Sequence, residues 1–317
     1  MLIIAYTVAI IRTIYISQNL IFIVMNQFFE RYKEIFKEDF SRFQKTIIPQ
    51  SIFLNGLQKP VKEVIEKLQK EGFAFEQIPW SKNGFFVKKA RFSIGSTTQY
   101  LLGHYSVQEA ASQFPAVVLN PLEGEFVIDM CASPGMKTIQ LASLMKNLGT
   151  IVACELKKER IESLKNNLER CGISNCIIVN GDALNLDLKQ KADKILLDAP
   201  CSGNFLTDKN WLTKRKLSDF QKMAKTQQQL LLKAVDLLKF GGDLVYSTCS
   251  MEPEEDEFVV DWALNNLPVK LIEIKAPFGI PGLANIFGKS LTNELSKTWR
   301  MHPPKTEGFF VAKFRKI

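Results

Sequence analysis

Two cysteines far apart in the chain follow the same kind of local sequence. Cys201 stands in KILLDAPCSG (194–203), just after an apolar run that stops at Asp198 and Pro200. Cys249 stands in DLVYSTCS (243–250), at the end of a second apolar run. The thiolate form of cysteine is the nucleophile, and neighbouring charges set how much of it exists. A thiolate can form a covalent intermediate that splits one hard step into easier ones, while a nearby carboxyl group handles a proton. A lone strand-end cysteine is ordinary core filler, because free cysteine is among the most buried residue types. Two in the same context, one of them beside Asp198, call for a common explanation. A helix expected to begin near Pro253 favours a thiolate at Cys249 through its dipole, whereas Glu254, Glu255, Asp256 and Glu257 oppose it. Sequence alone leaves that balance open.

The elements that must position these groups are legible from residue 125 onward. EFVIDM (125–130), TIVACE (150–155), CIIVNGD (176–182), KILLDAP (194–200) and DLVYSTCS read as strands. Between them lie helical patterns. One starts at about Met136. A second covers 157–170, with Ile161, Leu164 and Leu168 on one face and Gly172 closing it. A third covers 217–240, from a cap at Ser218 or Asp219 to a stop at Gly241-Gly242. This β-α alternation predicts an α/β fold with a parallel, doubly wound, Rossmann-like sheet. Ligands of such sheets bind at the carboxyl ends of the strands. Asp129, Glu155, Asp182, Asp198, Cys201 and Cys249 all fall at or just past predicted strand ends, so one rim should carry them. If the two cysteine-bearing strands are neighbours, both thiols face one crevice.

DMCASPGMKT (129–138) joins the first of these strands to its helix. Pro134 and Gly135 make the turn tight and leave backbone N–H groups open to a ligand. The stretch is neither a phosphate loop nor a G-x-G-x-x-G turn. Glu155 stands where such folds place a carboxylate for ribose hydroxyls, and Asp182 could accept from an adenine amino group. Singly, each acid reads as a helix cap or turn residue. Taken together on successive strand ends, they indicate an adenosine-containing cofactor.

The 317-residue chain carries a formal net charge of +8, which weakly favours a polyanionic partner. Six cysteines include no C-x-x-C pair, and His104 and His302 are the two histidines, so a metal site is not expected. Nor is a disulfide framework; reduced thiols and a cytoplasmic location are the simpler expectation. Residues 1–24 are mostly apolar, with Arg12 in their midst. They lack the basic start and cleavage site of a signal peptide, and as a membrane helix they would place Arg12 near the bilayer centre. A true start at Met25 is expected instead, with no membrane contact. Residues 25–98 read as a small α/β module with helical stretches at 26–46 and 60–72. Phe85, Phe86, Lys88, Lys89, Arg91 and Phe92 interleave aromatic and basic side chains there. That pattern fits RNA contact or a solvated basic strand edge equally well.

DMCASPGMKT, DAPCSG, YSTCSMEPEEDE (246–257) and RMHPPKTEGFFVAKF (300–314) resemble the successive motifs of the Sun-type RNA cytosine-5 methyltransferases, and GHYSVQEAAS (103–112) resembles that family's lead-in. The resemblance covers roughly residues 99–317 and continues more faintly to about residue 45. It implies S-adenosylmethionine as cofactor and an RNA substrate, with tRNA expected and ribosomal RNA or a non-catalytic ribosome assembly role as alternatives. It also implies a catalytic domain over 99–317 and an RNA-binding module before it; a monomer is expected. By resemblance, Cys249 is the nucleophile, Cys201 the second cysteine, and Asp198 sits between cofactor and base. Cys131, Ala132, Ser133, Pro134, Gly135, Met136 and Lys137 would cradle the methionine part. Glu155, with Arg160 nearby, would hold the ribose, and Asp182 would meet the adenine. The chain departs from the family's pattern at Met136, where a glycine is usual, at Asp256, where Asn is usual, and at Asn204 and Phe205. SIFLNGLQ (51–58) also lacks an expected Arg.

Overall fold

The computed structural model describes residues 28–37, 43 and 46–317. The apolar leader, the start at Met25 and part of the helix expected over 26–46 lie outside the described residues. Among the described residues, no helix is long and apolar enough to cross a membrane.

Four short strands form an antiparallel N-terminal sheet: β1 (Ser51–Leu54), β2 (Ala74–Gln77), β3 (Gly84–Lys89) and β4 (Tyr105–Val107), in the order β2–β3–β1–β4. Helix α1 (Val61–Lys70) closes one face. Its Val64 and Leu68, one turn apart, meet Ile52, Leu54, Phe73 and Tyr105 in a small core. Along β3 the aromatic side chains face inward, whereas Lys88, Lys89 and Arg91 stay exposed. The short helices α2 (Thr98–Leu101) and α3 (Phe114–Leu119) lead into the second sheet.

Five parallel strands carry the larger unit: β5 (Phe126–Asp129), β6 (Thr150–Glu155), β7 (Cys176–Asn180), β8 (Ala192–Asp198) and β9 (Leu238–Thr248), in the order β7–β6–β5–β8–β9. The crossover helices are α4 (Met136–Leu144), α5 (Lys158–Arg170) and α7 (Leu217–Leu237), with the one-turn α6 (Trp211–Lys214) before the last. Alternation along β8 buries both faces of the sheet: Ile195 and Leu197 pack with Leu231, Tyr246 and Val260, while Leu196 packs with Phe114, Leu141 and Val245.

The sheet is parallel over the expected β-α alternation and gains antiparallel strands after α8 (Glu257–Asn266). There the strands are β10 (Val269–Ile272), β11 (Ile280–Pro281), a β12–β13 hairpin (Asn285–Ile286, Lys289–Ser290), β14 (Trp299–Met301) and β15 (Phe309–Lys316). β15 runs antiparallel to β9, and β14 and β10 flank its other edge. Among β10 to β15 no α-helix intervenes, and short connections of this kind suit antiparallel pairing. Two helix bounds also differ from expectation. α7 stops at Leu237, and Gly241-Gly242 lie inside β9, where the β8–β9 register shifts and a Cβ on Gly242 would stand 2.8 Å from the Asp193 carbonyl oxygen. α8 begins at Glu257 rather than near Pro253, because residues 253–256 form turns.

Helical residues 28–36 pack on the larger unit, not on the N-terminal sheet. Phe28, Tyr32, Ile35 and Phe36 meet Phe205, Trp211, Phe220 and Met251.

Candidate active site

The parallel strands bring their carboxyl ends to one edge. β5 ends on Asp129, β6 on Glu155, β8 on Asp198 and β9 on Thr248, and Asp198 lies level with Ser247. β8 and β9 are neighbours, so the loops leaving them emerge side by side. Cys201 and Cys249 Sγ are 3.0 Å apart, within hydrogen-bonding contact for two sulfurs. All six cysteines are free. The Cys201 thiol is pushed well up by its hydrogen bond with Cys249, by burial, and by the negative charge of Cys249 and Glu255. Cys201 is therefore held as a neutral thiol against Cys249.

Beside the thiols, Lys137 Nζ donates to Asp198 Oδ2 at 2.7 Å and to Ser112 Oγ at 3.2 Å. Ser247 Oγ donates to the other Asp198 oxygen at 2.7 Å. Burial opposes the charge on Lys137, but Asp198, with Cys249 and Asp129 behind it, more than offsets this and leaves the ammonium above its ordinary range. The carboxylate is thus fixed on both sides, next to a buried cation and the thiol pair.

A cavity of about 230 Å³ opens against Asp198 and Lys137. Asp129, Cys131, Ala132, Ser133, Pro134 and Met136 line it, as do Gln108, Glu109 and Ser112 from the segment after β4. Gly135 caps α4 with φ +103°, and a Cβ there would stand 2.9 Å from Leu164 Cδ1, so the turn requires glycine. Met136, the departure from the family's pattern, is the first residue of α4 and packs toward Leu164 and Leu168. Asp129 Oδ2 accepts from Thr138 Oγ1 at 2.7 Å, but its buried Oδ1 has no partner. Burial raises that carboxyl to about 6, helped by the charge of Asp198 and opposed by Thr138. Burial also holds Cys131 far up, with Asp129, Asp198 and Glu155 adding to it, so it stays a neutral thiol. An orphaned carboxylate oxygen on the wall of a polar cavity, lined by the turn residues on either side of Gly135, fits the amino end of an amino-acid-like ligand.

Glu155, Arg160 and Asp182 continue the same edge outside that cavity. Glu155 accepts from its local Lys157 N–H at 2.8 Å and pairs with Arg160 at 3.3 Å. Arg160 also donates to the Ser133 carbonyl at 2.5 Å, tying the 131–137 turn to the end of β6. Asp182 accepts from Leu184 N–H at 3.0 Å, the capping role that a strand-end acid has by default.

Sequence reasoning missed the clamp around the thiols. Glu255 is fully buried and accepts from Ser202 N–H (3.0 Å), Ser202 Oγ, Ser250 Oγ (3.2 Å) and Gln227 Nε2 (2.9 Å). It binds the residue after Cys201 to the residue after Cys249. Asn204, another departure, donates from Nδ2 to the Cys249 carbonyl at 2.8 Å, and Trp211 Nε1 donates to the Ser202 carbonyl at 2.9 Å. Asp256 accepts from Thr248 Oγ1 at 2.6 Å and pairs with buried Arg300, which also bonds Glu257. The acidic run expected to act as a helix N-terminus is therefore a buried network. The dipole expected at Cys249 is not in place, because α8 starts eight positions further along. Glu109 was also missed. It accepts from Ser112 N–H (3.0 Å) and Glu307 N–H (3.2 Å), and burial followed by the charge of Glu307 raises it to about 7. The signal available for Glu109 and Glu255 was their place in motif-like stretches; Glu307, Ser202 and Gln227, which complete their bonding, lie far off in sequence. Among the described residues no His, Cys, Asp or Glu cluster could hold a metal ion.

Residues 116–315 match the profile of the family described as 16S rRNA methyltransferase RsmB/F, and residues 25–110 match the N-terminal domain of 16S rRNA methyltransferase RsmF. A mouse 28S rRNA (cytosine-C(5))-methyltransferase is 38% identical over 85% of this chain and 36% of its own length. Against it and two further eukaryotic rRNA methyltransferases, the chain spans only about a third to a half of the relative. A tRNA (cytosine(49)-C(5))-methyltransferase of Pyrococcus abyssi is 37% identical over 90% of this chain and 94% of its own. Among solved structures, a methyltransferase homolog from Pyrococcus horikoshii superposes with a TM-score of 0.84 at 40% identity, covering 91% of this chain and 94% of that one. NSun6 from the same organism, solved with the S-adenosylmethionine analogue SFG, gives 0.78 at 27% identity, covering 90% and 97%.

Proposed function

The chain belongs to the RsmB/F methyltransferase family, and from that premise we propose that it transfers a methyl group from S-adenosylmethionine to carbon 5 of a cytosine in RNA. The observation that carries the reading is the thiol pair at 3.0 Å beside the Lys137–Asp198 ion pair, on the wall of a cavity that keeps Asp129 Oδ1 unpartnered. When bound, S-adenosylmethionine supplies an electrophilic methyl group. Residues 131–137 and Asp129 would hold its amino-acid end, Glu155 with Arg160 its ribose, and Asp182 its adenine.

Carbon 5 of cytosine is too poor a nucleophile to react unaided. Cys249 adds to carbon 6 and turns the ring into an enamine, which makes carbon 5 reactive. Ring nitrogen 3 becomes basic as the bond forms, and Asp198, held by Lys137 and Ser247, stabilises the proton there. The target base must leave any stack to reach this rim. After transfer, the carbon 5 proton must be taken and the Cys249–carbon 6 bond broken. The thiol pair times this step. One cause that keeps the proton on Cys201, the negative charge of Cys249, is gone once Cys249 is bonded to carbon, and the thioether sulfur left behind is only a weak acceptor. Cys201 then gives up its proton to water more easily and, as the thiolate, takes the carbon 5 proton. Asp198, Cys201 and Cys249 thus have distinct roles although they share one edge.

A tRNA substrate is favoured because the tRNA methyltransferase of Pyrococcus abyssi matches nearly end to end, whereas the eukaryotic rRNA enzymes match over a fraction of their length. Ribosomal RNA is the second reading, favoured by the family profile itself. We place the enzyme in the cytoplasm as a monomer. The test incubates labelled S-adenosylmethionine with tRNA and rRNA and maps 5-methylcytosine by bisulfite sequencing. Cys249→Ala should lose roughly 10,000-fold or more in rate, and Cys201→Ala should accumulate a covalent protein–RNA adduct. Methylation by Cys249→Ala at the wild-type rate would defeat the mechanism.

A further inference from the structure

The segment that leaves Cys201 carries the densest cationic stretch near the thiols. Residues 206–225 hold Lys209, Lys214, Arg215, Lys216, Lys222 and Lys225 against Asp208 and Asp219. The two acids are occupied: Asp208 pairs with Lys214 at 2.9 Å, and Asp219 accepts the Lys216 backbone N–H at 3.0 Å. Lys209, Lys216, Lys222 and Lys225 are exposed, and none of the four is in an ion pair among the described residues.

Topology puts these cations at the thiol rim. β8 and β9 are parallel, so the helix between them must start at the carboxyl edge and run back to the amino edge. The first turns of α7 therefore lie beside the loops that bear Cys201 and Cys249. Its charge follows the same polarity. Lys222 and Lys225, three apart on one solvent face, are exposed in its first half, whereas the second half carries one half-buried lysine, Lys233, beside exposed Gln229, Leu232 and Asp236. The preceding loop is rigidly joined to the chemistry. Trp211 Nε1 bonds the Ser202 carbonyl, Asn204 bonds the Cys249 carbonyl, and Leu206 N–H and Asp208 N–H bond back to Asn204 at 2.9 and 3.2 Å.

We propose that this surface, the 206–216 loop and the first turns of α7, is a phosphate track that holds the RNA strand on the catalytic unit itself, in addition to any contact with the N-terminal module. The inference rests on the RNA-methylating reading above and names where the substrate backbone lies. Phosphates on this track would be held by Lys209, Lys216, Lys222 and Lys225 as point charges, without reading sequence.

The test compares two triple variants with the same change in charge. Lys209→Glu, Lys222→Glu and Lys225→Glu alter the proposed track. Lys189→Glu, Lys233→Glu and Lys270→Glu alter the opposite edge of the sheet. Binding of a fluorescein-labelled tRNA transcript is followed by anisotropy across a salt titration. Each lost phosphate contact reduces the slope of log affinity against log salt by about 0.7 to 0.9, so the track variant should lose about 2 in slope, and the opposite-edge variant should keep the wild-type slope. Cofactor binding by calorimetry should match wild type in both, and the corresponding glutamine variants should reproduce the order with a smaller drop. Equal slopes in all three proteins, or an equal drop in both variants, overturns the track while wild-type methylation stands. A wild-type protein that forms no 5-methylcytosine on any RNA overturns the reading beneath it and the track with it.

Discussion

The two halves of the rim are built differently. On the cofactor side, the two strand-end acids are held by their own neighbourhood, Glu155 by Lys157 N–H and Asp182 by Leu184 N–H, and the 131–137 turn by Arg160 at one end and Asp198 at the other. On the thiol side, position depends on partners dozens of residues away. Glu255 binds Ser202 and Gln227, Asn204 binds Cys249 and Gly308, and Arg300 binds Asp256 and Glu257. The first half is a row of strand–turn–helix units that presents a surface to a diffusing ligand. The second is a desolvated polar network, in which every donor must find its acceptor because none can fall back on water. A binding half tolerates local adjustment, whereas a covalent half must fix two sulfurs against each other.

That contrast is open to direct attack. Glu255→Gln, which sets an amide donor against the Ser202 N–H, should cost about 1–3 kcal/mol of stability and lower kcat by roughly 100-fold. Cofactor affinity should stay within about twofold, since Glu255 touches none of the groups that would hold it. Stopped-flow kinetics with calorimetry checks both, and equal losses in kcat and cofactor affinity would mean that the two halves are one unit. Glu155→Ala should do the reverse. Loss of a charged acceptor for ribose should weaken cofactor binding by roughly 10- to 100-fold, with kcat at saturation little changed.

Glu109 links the halves and gives a pH test. Its folded value is raised from the ordinary carboxyl range to about 7, so its protonated form favours the fold. The sign follows: stability is greatest below the ordinary carboxyl value and is lost as pH rises to about 7. Melting curves from pH 5 to 8 should therefore fall more steeply for wild type than for Glu109→Gln. Parallel curves would assign the pH dependence to other buried acids such as Glu252, which is also raised to about 7, chiefly by burial. The smallest effect should come from Asp182→Ala. Losing its cap costs about 1 kcal/mol, and cofactor affinity should fall by about tenfold or less. A loss as large as that of Glu155→Ala would show that Asp182 does more than cap its turn.

The parallel half of the sheet was readable because each unit announces itself locally. Leu164 and Leu168 recur at helical spacing, β8 alternates, and Gly135 marks a turn that no other residue fits. The antiparallel half was not readable. β10, β11 and β14 are two to four residues long, too short for a period to show. The glycine pair 241–242 misled for a physical reason: glycine serves a strand bulge as well as a helix stop. The acidic run misled likewise, since a row of carboxylates reads as a solvated helix start until Arg300, Ser202 and Gln227 are seen around it.

By itself, then, the sequence determined the order of strands and helices from β5 to β9, the strand-end acids and the two candidate thiols, because these depend on spacing of two to four residues along one backbone. Tertiary structure decided that β8 and β9 are neighbours, that the sulfurs stand 3.0 Å apart and that Glu255 ties their loops together. Such pairings are set by which buried donors and apolar faces are satisfied at once, a condition on the whole chain that no short window contains.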